Sequence, residues 1–267
     1  MSELDLRRAS SMQDALTILR DEKRTPIAGA TDLYVAAQFG TLVPRKLLDI
    51  WNVKELRNIT TNGDTFVIGA LATYTSLIRN ADVNKRLPML VEASKLVGGP
   101  QIQNRGTVGG NIANGSPAGD SLPVWAATDA IIVLRNASGE RRVPFTQFYS
   151  GYRATVMKPD ELIVAVEVPR VEGKQWFRKV GTRQAQAISK IVVAGVRNAK
   201  PRVAFGSIAA TVVRVPKTEA ALAKSGIDEG ANILAGEISP IDDVRSSAEY
   251  RKQVAINLLR RFWADTA

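Results

Sequence analysis

Two stretches of the chain carry glycine and small polar residues at spacings that could hold an anion or a nucleotide: TPIAGATDLYVAAQFG at 25–40 and QIQNRGTVGGNIANGSPAGD at 101–120. The second holds three asparagines and five of the chain's 20 glycines. Gly106, Gly109 and Gly110 permit positive φ and close approach of backbone to a ligand. Successive exposed N–H groups in such a turn form an anion-binding concavity. Thr107, Asn111, Asn114 and Ser116 add neutral hydrogen-bonding groups, and Asp120 adds a carboxylate acceptor. No helix or strand period fits this stretch, so the sequence predicts a long functional loop. In the first stretch, Pro26–Ala28 reads as a strand, Gly29–Asp32 as a turn and Leu33–Phe39 as a helix stopped by Gly40. Thr31 or Asp32 suits the N-cap. Strand, glycine turn and helix start together make a phosphate cradle, because the first helical N–H groups are unpaired and the dipole is positive there. The pattern is neither GxGxxG nor a Walker A sequence, and a plain capped strand–turn–helix reads the same way.

Composition removes many chemistries. The chain has 267 residues, no cysteine and no histidine. Disulfides, cysteine-ligated iron–sulfur clusters and Cys/His zinc sites within the chain are excluded. So are a Ser-His-Asp triad, a cysteine nucleophile and a flavin bonded through His or Cys. Redox chemistry must come from a dissociable cofactor or a partner chain. The net charge of +10 invites a nucleic-acid reading. However, Lys and Arg are spread along the chain, and no aromatic-basic or helix-turn-helix motif stands out. No run of about 18 uncharged apolar residues predicts a membrane span. The start, MSELDLRRASS, is charged and polar, so a cytoplasmic protein without a signal peptide is expected.

The elements that must position these stretches follow from period and punctuation. Ser10–Glu22 reads as an amphipathic helix, with Ser10 and Gln13 at capping-box spacing. Lys46–Ile50 and Phe66–Ala70 read as strands, the latter entered through the turn Asn62-Gly63-Asp64. Thr73–Arg79 and Val83–Val97 read as helices, and Leu122–Thr128 as a short apolar one. Ala130–Leu134 and Arg141–Val143 form a hairpin, and Glu161–Val168 a strand. Pro169–Lys174 has the composition of a domain boundary. Beyond it, Trp176–Val180, Ser189–Val196 and Arg202–Ile208 predict a small antiparallel sheet, followed by helices at Lys217–Ala223, Asp228–Ala235 and Ser246–Trp263.

PIAGATDL at 26–33 and QIQNRGTVGGNIANGSPAGD at 101–120 resemble the two FAD-binding segments of the molybdenum hydroxylase flavoproteins. That family includes the medium subunits of bacterial carbon monoxide, nicotine and xanthine dehydrogenases. GYRATVMKPDELIVAVEVP at 151–169, WFRKVGTRQAQAISKIVVA at 176–194 and VAFGSIAATVVR at 203–214 extend the likeness over nearly the whole chain, in order. The TVGGN and SPAGD pair is its specific part. The resemblance implies an α+β fold: an FAD-binding domain at 1–170 of vanillyl-alcohol-oxidase (PCMH-like) type, with subdomains of about 1–57 and 58–170. A C-terminal domain at 175–267, with a three-stranded antiparallel sheet and helices, would follow.

The resemblance also implies the site. Ile27, Ala28, Gly29, Ala30, Thr31, Asp32, Leu33 and Tyr34 would wrap the FAD diphosphate and adjoining parts. Thr107, Val108, Gly109, Gly110 and Asn111 would contact FAD from the second segment. Asp120 corresponds to a carboxylate at the site, Ile163 to a backbone contact and Lys179 to a lysine reaching across from the C-terminal domain. Val97 stands where some relatives carry an aromatic, and Ala30 where many carry glycine. If the turn at Ala30 needs positive φ, alanine costs about 1 kcal/mol there. The implied activity is oxidoreductase electron transfer within a heterotrimer. An iron–sulfur small subunit with two [2Fe–2S] clusters would deliver electrons to FAD from a molybdopterin large subunit, and NAD, oxygen or a quinone would accept them. A stand-alone FAD-dependent reductase or oxidase, and a scaffold subunit without FAD, are the rival readings. No catalytic side chain and no metal ligand is expected in this chain.

Overall fold

The structure is a computed structural model that describes residues 4–42 and 45–267. Among these residues a three-stranded parallel sheet comes first, with Lys46–Asp49 between Asp5–Arg8 and Thr25–Ile27. Asp5–Arg8 went unpredicted because every residue of this edge strand is exposed, so no apolar alternation marks it. The helix Met12–Asp21 crosses between the first two strands and buries Ala15, Leu16, Ile18 and Leu19. Its cap is Ser11 rather than Ser10. Ser11 Oγ accepts from Asp14 N at 3.1 Å, while Ser10 donates to the Asp14 carboxylate.

A five-stranded antiparallel sheet follows. Its central strand, Leu162–Val168, runs between Thr65–Gly69 and Ile131–Asn136, with Ile59–Asn62 and Gly139–Pro144 at the edges. The predicted helix Val83–Val97 is two helices, Ala81–Arg86 and Pro88–Lys95. Pro88 has no amide hydrogen and forces Leu87 out of the helical region, to φ −134° and ψ 58°. Trp125, Phe145, Phe148 and Tyr74 fill the core beneath this sheet.

The chain ends in a four-stranded antiparallel sheet, one strand more than expected. Val213–Arg214 adds a two-residue edge to Lys174–Val180, Ile191–Arg197 and Arg202–Gly206. Both faces are covered, so Ile191–Val196 is buried throughout. One face packs on the main core through Val192 and Ala194. The other takes the helices Pro216–Lys224, Ile227–Glu237 and Ala248–Asp265 through Leu222, Leu234 and Phe262. Side chains alternate across a strand. Phe177 therefore faces the main core while Trp176 and Val180 face the helices. Lys179 shares the side of Phe177.

Candidate functional site

The 101–120 stretch is not a structureless loop. Gly99 and Pro100 open the helix Pro100–Arg105, and Thr107 caps the helix Val108–Asn114. Gly115 closes that helix at φ 60°. Small residues hid these helices from any apolar period. They are short because they seat against other backbone: a Cβ on Gly109 would stand 2.7 Å from Ala70 Cβ. This packing uses up the predicted amide concavity. Val108 N donates to Ala72 O at 3.0 Å, Gly109 N to Ala70 O at 2.8 Å and Gly110 N to Thr107 Oγ1 at 3.2 Å. Asn111 N donates to Thr107 O. The amides of Val108–Asn111 are thus spent within the protein, and these residues offer glycine surface and side chains.

A run of five free amides lies in the first segment. The turn after the strand Thr25–Ile27 leads into the short helix Leu33–Gln38. Among the described residues, the amides of Gly29, Ala30, Thr31, Asp32 and Leu33 donate to no protein acceptor. Asp32 stands at the cap position but makes no side-chain cap bond, and Thr31 makes none either. Ala30 adopts φ 62°, the left-handed conformation that the sequence raised as a possibility. The two segments touch. A Cβ on Gly29 would stand 1.8 Å from Arg105 O, so only glycine allows this approach. Arg105 also stacks on Trp51, 3.8 Å from its ring centroid, with Arg57 on the same ring at 4.2 Å.

Between the segments runs a cleft of about 1040 Å3. Ala28, Gly29, Ala30, Thr31, Asp32 and Leu33 line one wall, and Val97, Thr107, Gly109, Gly110, Asn111 and Ile163 line others. Ile163 adjoins a bulge in the central strand, where pairing shifts register before Ala165. Of the remaining expected residues, Val108 is fully buried. Ile27 accepts from Ile50 N through its carbonyl, and Tyr34 points to solvent, 69% exposed. Asp120 and Lys179, both expected at the site, form a buried ion pair, Nζ to Oδ2 at 2.7 Å, and neither lines the cleft. Lys179 Nζ also donates to Leu96 O, next to Val97. Asp120 Oδ1 is buried without a hydrogen-bond partner. Burial outweighs the attraction of Lys179 and pushes the Asp120 carboxyl up to about 6.

Sequence reasoning missed the basic rim. Lys23, Arg24, Arg45, Lys46, Arg153 and Lys158 all line the cleft, with Arg24 paired to Asp5 and Glu22 and Lys46 paired to Glu22. These residues are scattered in sequence, and no spacing announces them. Glu161 also lines the cleft, but Arg141 grips its carboxylate at 2.6 and 2.8 Å and holds it below the usual carboxylate range. Tyr74 reaches the floor from the helix Tyr74–Arg79. A cleft with free peptide N–H groups, a basic rim and one neutral wall suits a long, partly anionic ligand.

A family model described as "FAD binding domain in molybdopterin dehydrogenase" matches residues 2–171. The chain belongs to the FAD-binding subunits of the molybdenum hydroxylase family. A second model, "CO dehydrogenase flavoprotein C-terminal domain", matches residues 176–266. The chain is 31% identical to the carbon monoxide dehydrogenase medium chain of Hydrogenophaga pseudoflava, over 88% of this chain and 86% of that one. It is also 31% identical to a xanthine dehydrogenase FAD-binding subunit of Escherichia coli O157:H7, over 91% and 89%. A solved carbon monoxide dehydrogenase from Hydrogenophaga pseudoflava, lacking the Mo-pyranopterin moiety of its cofactor, superposes with a TM-score of 0.92 at 29% identity. That match covers all of this chain and 97% of the other. As a molybdenum hydroxylase flavoprotein, the chain is an oxidoreductase subunit whose cofactor is FAD. Among the described residues no acidic cluster could hold a metal ion, and no helix is long and apolar enough to cross a membrane.

The cleft fits that cofactor. Its volume is that of a pocket for a large small molecule. The five free amides of Gly29–Leu33 match a diphosphate without a lysine clamp. Gly110 leaves its Cα face open apart from Thr107 Oγ1.

Proposed function

We propose that this chain is the electron-transfer flavoprotein of a three-subunit molybdenum-dependent dehydrogenase. FAD would lie in the cleft between the two glycine segments. Partner chains would supply the molybdopterin that meets the organic substrate and the [2Fe–2S] clusters that deliver electrons. This chain has no cysteine to hold clusters of its own. NAD, oxygen or a quinone would be the acceptor. The observation that carries this reading is the row of unpaired amides at Gly29–Leu33, residues that line the cleft.

Bound flavin supplies electron transfer in one- and two-electron steps. The protein's part is to bind, orient and tune. The amides of Gly29–Leu33, with Ile27, Ala28 and Tyr34 as their frame, would take the diphosphate. Thr107–Asn111 would form the facing wall, with Val97 and Ile163 as apolar contacts. Lys179 and Asp120 would place a paired charge at the edge, bringing residues 175–267 to a site otherwise built by residues 1–170. The basic rim would favour the anionic cofactor at long range.

The test is an absorbance spectrum of the purified chain before and after acid release. Flavin bands near one equivalent, with FAD in the supernatant, support the proposal. A colourless protein that takes up no added FAD overturns it for the isolated chain.

A further inference from the structure

Three side chains are linked at the cleft floor, and two of them, Tyr74 and Asn111, line the cleft. Tyr74 Oη lies 3.1 Å from Ser121 Oγ, and Ser121 Oγ donates to Asn111 Oδ1 at 3.0 Å. Tyr74 and Ser121 are each 1% exposed, and among the described residues neither hydroxyl has another partner. Their proton order is therefore fixed. A serine hydroxyl carries one proton, and a carbonyl oxygen only accepts. Ser121 spends its proton on Asn111, so Tyr74 must donate to Ser121. At the end of this chain Asn111 Nδ2 has no acceptor among the described residues, and Asn111 lines the cleft.

We propose that Tyr74 and Ser121 are positioning residues that hold the Asn111 amide with its NH2 toward the cleft, where it selects a hydrogen-bond acceptor on the bound cofactor. The proposal rests on the FAD reading above. The acceptor is a phosphate oxygen, a carbonyl or a ring nitrogen, since an amide NH2 only donates. Turning the amide over would bring Nδ2 to Ser121. One buried hydroxyl proton would then have no acceptor, an arrangement folded proteins avoid. The relay thus converts two core hydroxyls into a choice of donor over acceptor at the cleft wall. Asn111 begins from the helix Val108–Asn114, Ser121 precedes the helix Leu122–Ala127 and Tyr74 opens Tyr74–Arg79, so three separate elements must agree to make it.

FAD titration of the full chain, followed by flavin fluorescence, tests this alongside thermal denaturation. Ser121→Ala is expected to weaken FAD about tenfold in the wild-type background, and within twofold in an Asn111→Ala background. Tyr74→Phe keeps the ring in the core and is expected to weaken FAD about threefold, so it serves if Ser121→Ala does not fold. An equal loss for Ser121→Ala in both backgrounds overturns the proposal, as does unchanged affinity in folded variants. A second readout is the Asn111 side-chain NH2 pair in a nitrogen-15 spectrum, assigned by its absence in Asn111→Ala. Tyr74→Phe and Ser121→Ala must shift that pair without FAD present. If wild-type protein takes no FAD, the functional reading fails while this shift still judges the relay, and an unmoved pair overturns it.

Discussion

Lys179, on a strand of the C-terminal sheet, holds Asp120 at 2.7 Å, and both side chains are about nine-tenths buried. The acid comes from the end of the second glycine segment and the base from a sheet that follows the linker. The FAD resemblance named each residue separately as part of the site, and the structure pairs them with each other.

The Asp120 carboxyl has a pKa of about 6 in the folded chain, against 3.8 for the free group. The folded state therefore holds this proton more tightly than the unfolded state. Its contribution to stability is present below about pH 4 and is lost as pH rises through 6, by roughly 3 kcal/mol for a shift of this size. Denaturant unfolding of wild type and Asp120→Asn between pH 4 and 8 checks this. Their difference must tilt toward the variant as pH rises, and parallel profiles would contradict it.

Removing only one partner of the pair leaves a buried charge uncompensated. Lys179→Met is expected to cost about 3–5 kcal/mol above pH 6. The double variant Asp120→Asn with Lys179→Met should lose less than the two single losses combined. A thermodynamic cycle of unfolding free energies measures the coupling, and strict additivity would show that the contact carries none.

Gly29 has no room for a side chain, because its Cβ would meet the Arg105 carbonyl at 1.8 Å. Gly29→Ala must push the two glycine segments apart. We expect a loss of about 1–3 kcal/mol in stability and a purified protein with little flavin. Full flavin content at unchanged stability would mean that the segments need not touch.

Ala30 holds φ 62° without the freedom of glycine. Ala30→Gly should stabilise the chain by about 1 kcal/mol or less, the left-handed strain being partly offset by the extra freedom of the unfolded chain. Wild type should bind FAD nonetheless, because the Ala30 amide donates equally well with either side chain. A large gain in FAD affinity for Ala30→Gly would show instead that the strain opposes binding.

Much of this architecture was legible in the sequence, for physical reasons. Leu162–Val168 and Ile191–Val196 are rich in β-branched residues and bounded by turn residues, and both are strands. Met12–Asp21 announces itself by an apolar stripe. The elements that escaped lack these marks. Asp5–Arg8 is an exposed edge, and Pro100–Arg105 and Val108–Asn114 are built from residues too small or polar to show a period. At the site, the two glycine segments stood out by composition. Which of them offers free amides depended on Ala70 and Ala72 occupying the other's donors, a contact that no local signal reveals. The relay from Tyr74 through Ser121 was invisible for the same reason, since 47 residues separate its first two members.

The separation of 59 positions from Asp120 to Lys179 also bears on how the chain is made. Synthesis runs from the N-terminus, so both walls of the cleft leave the ribosome before Lys179 exists. Until the last sheet docks, Asp120 has no counter-ion. Docking then supplies the ammonium group, whose attraction favours the ionised carboxylate. A nascent chain stalled before residue 179 therefore carries both glycine segments but lacks the ammonium partner of Asp120, which only the completed sheet supplies.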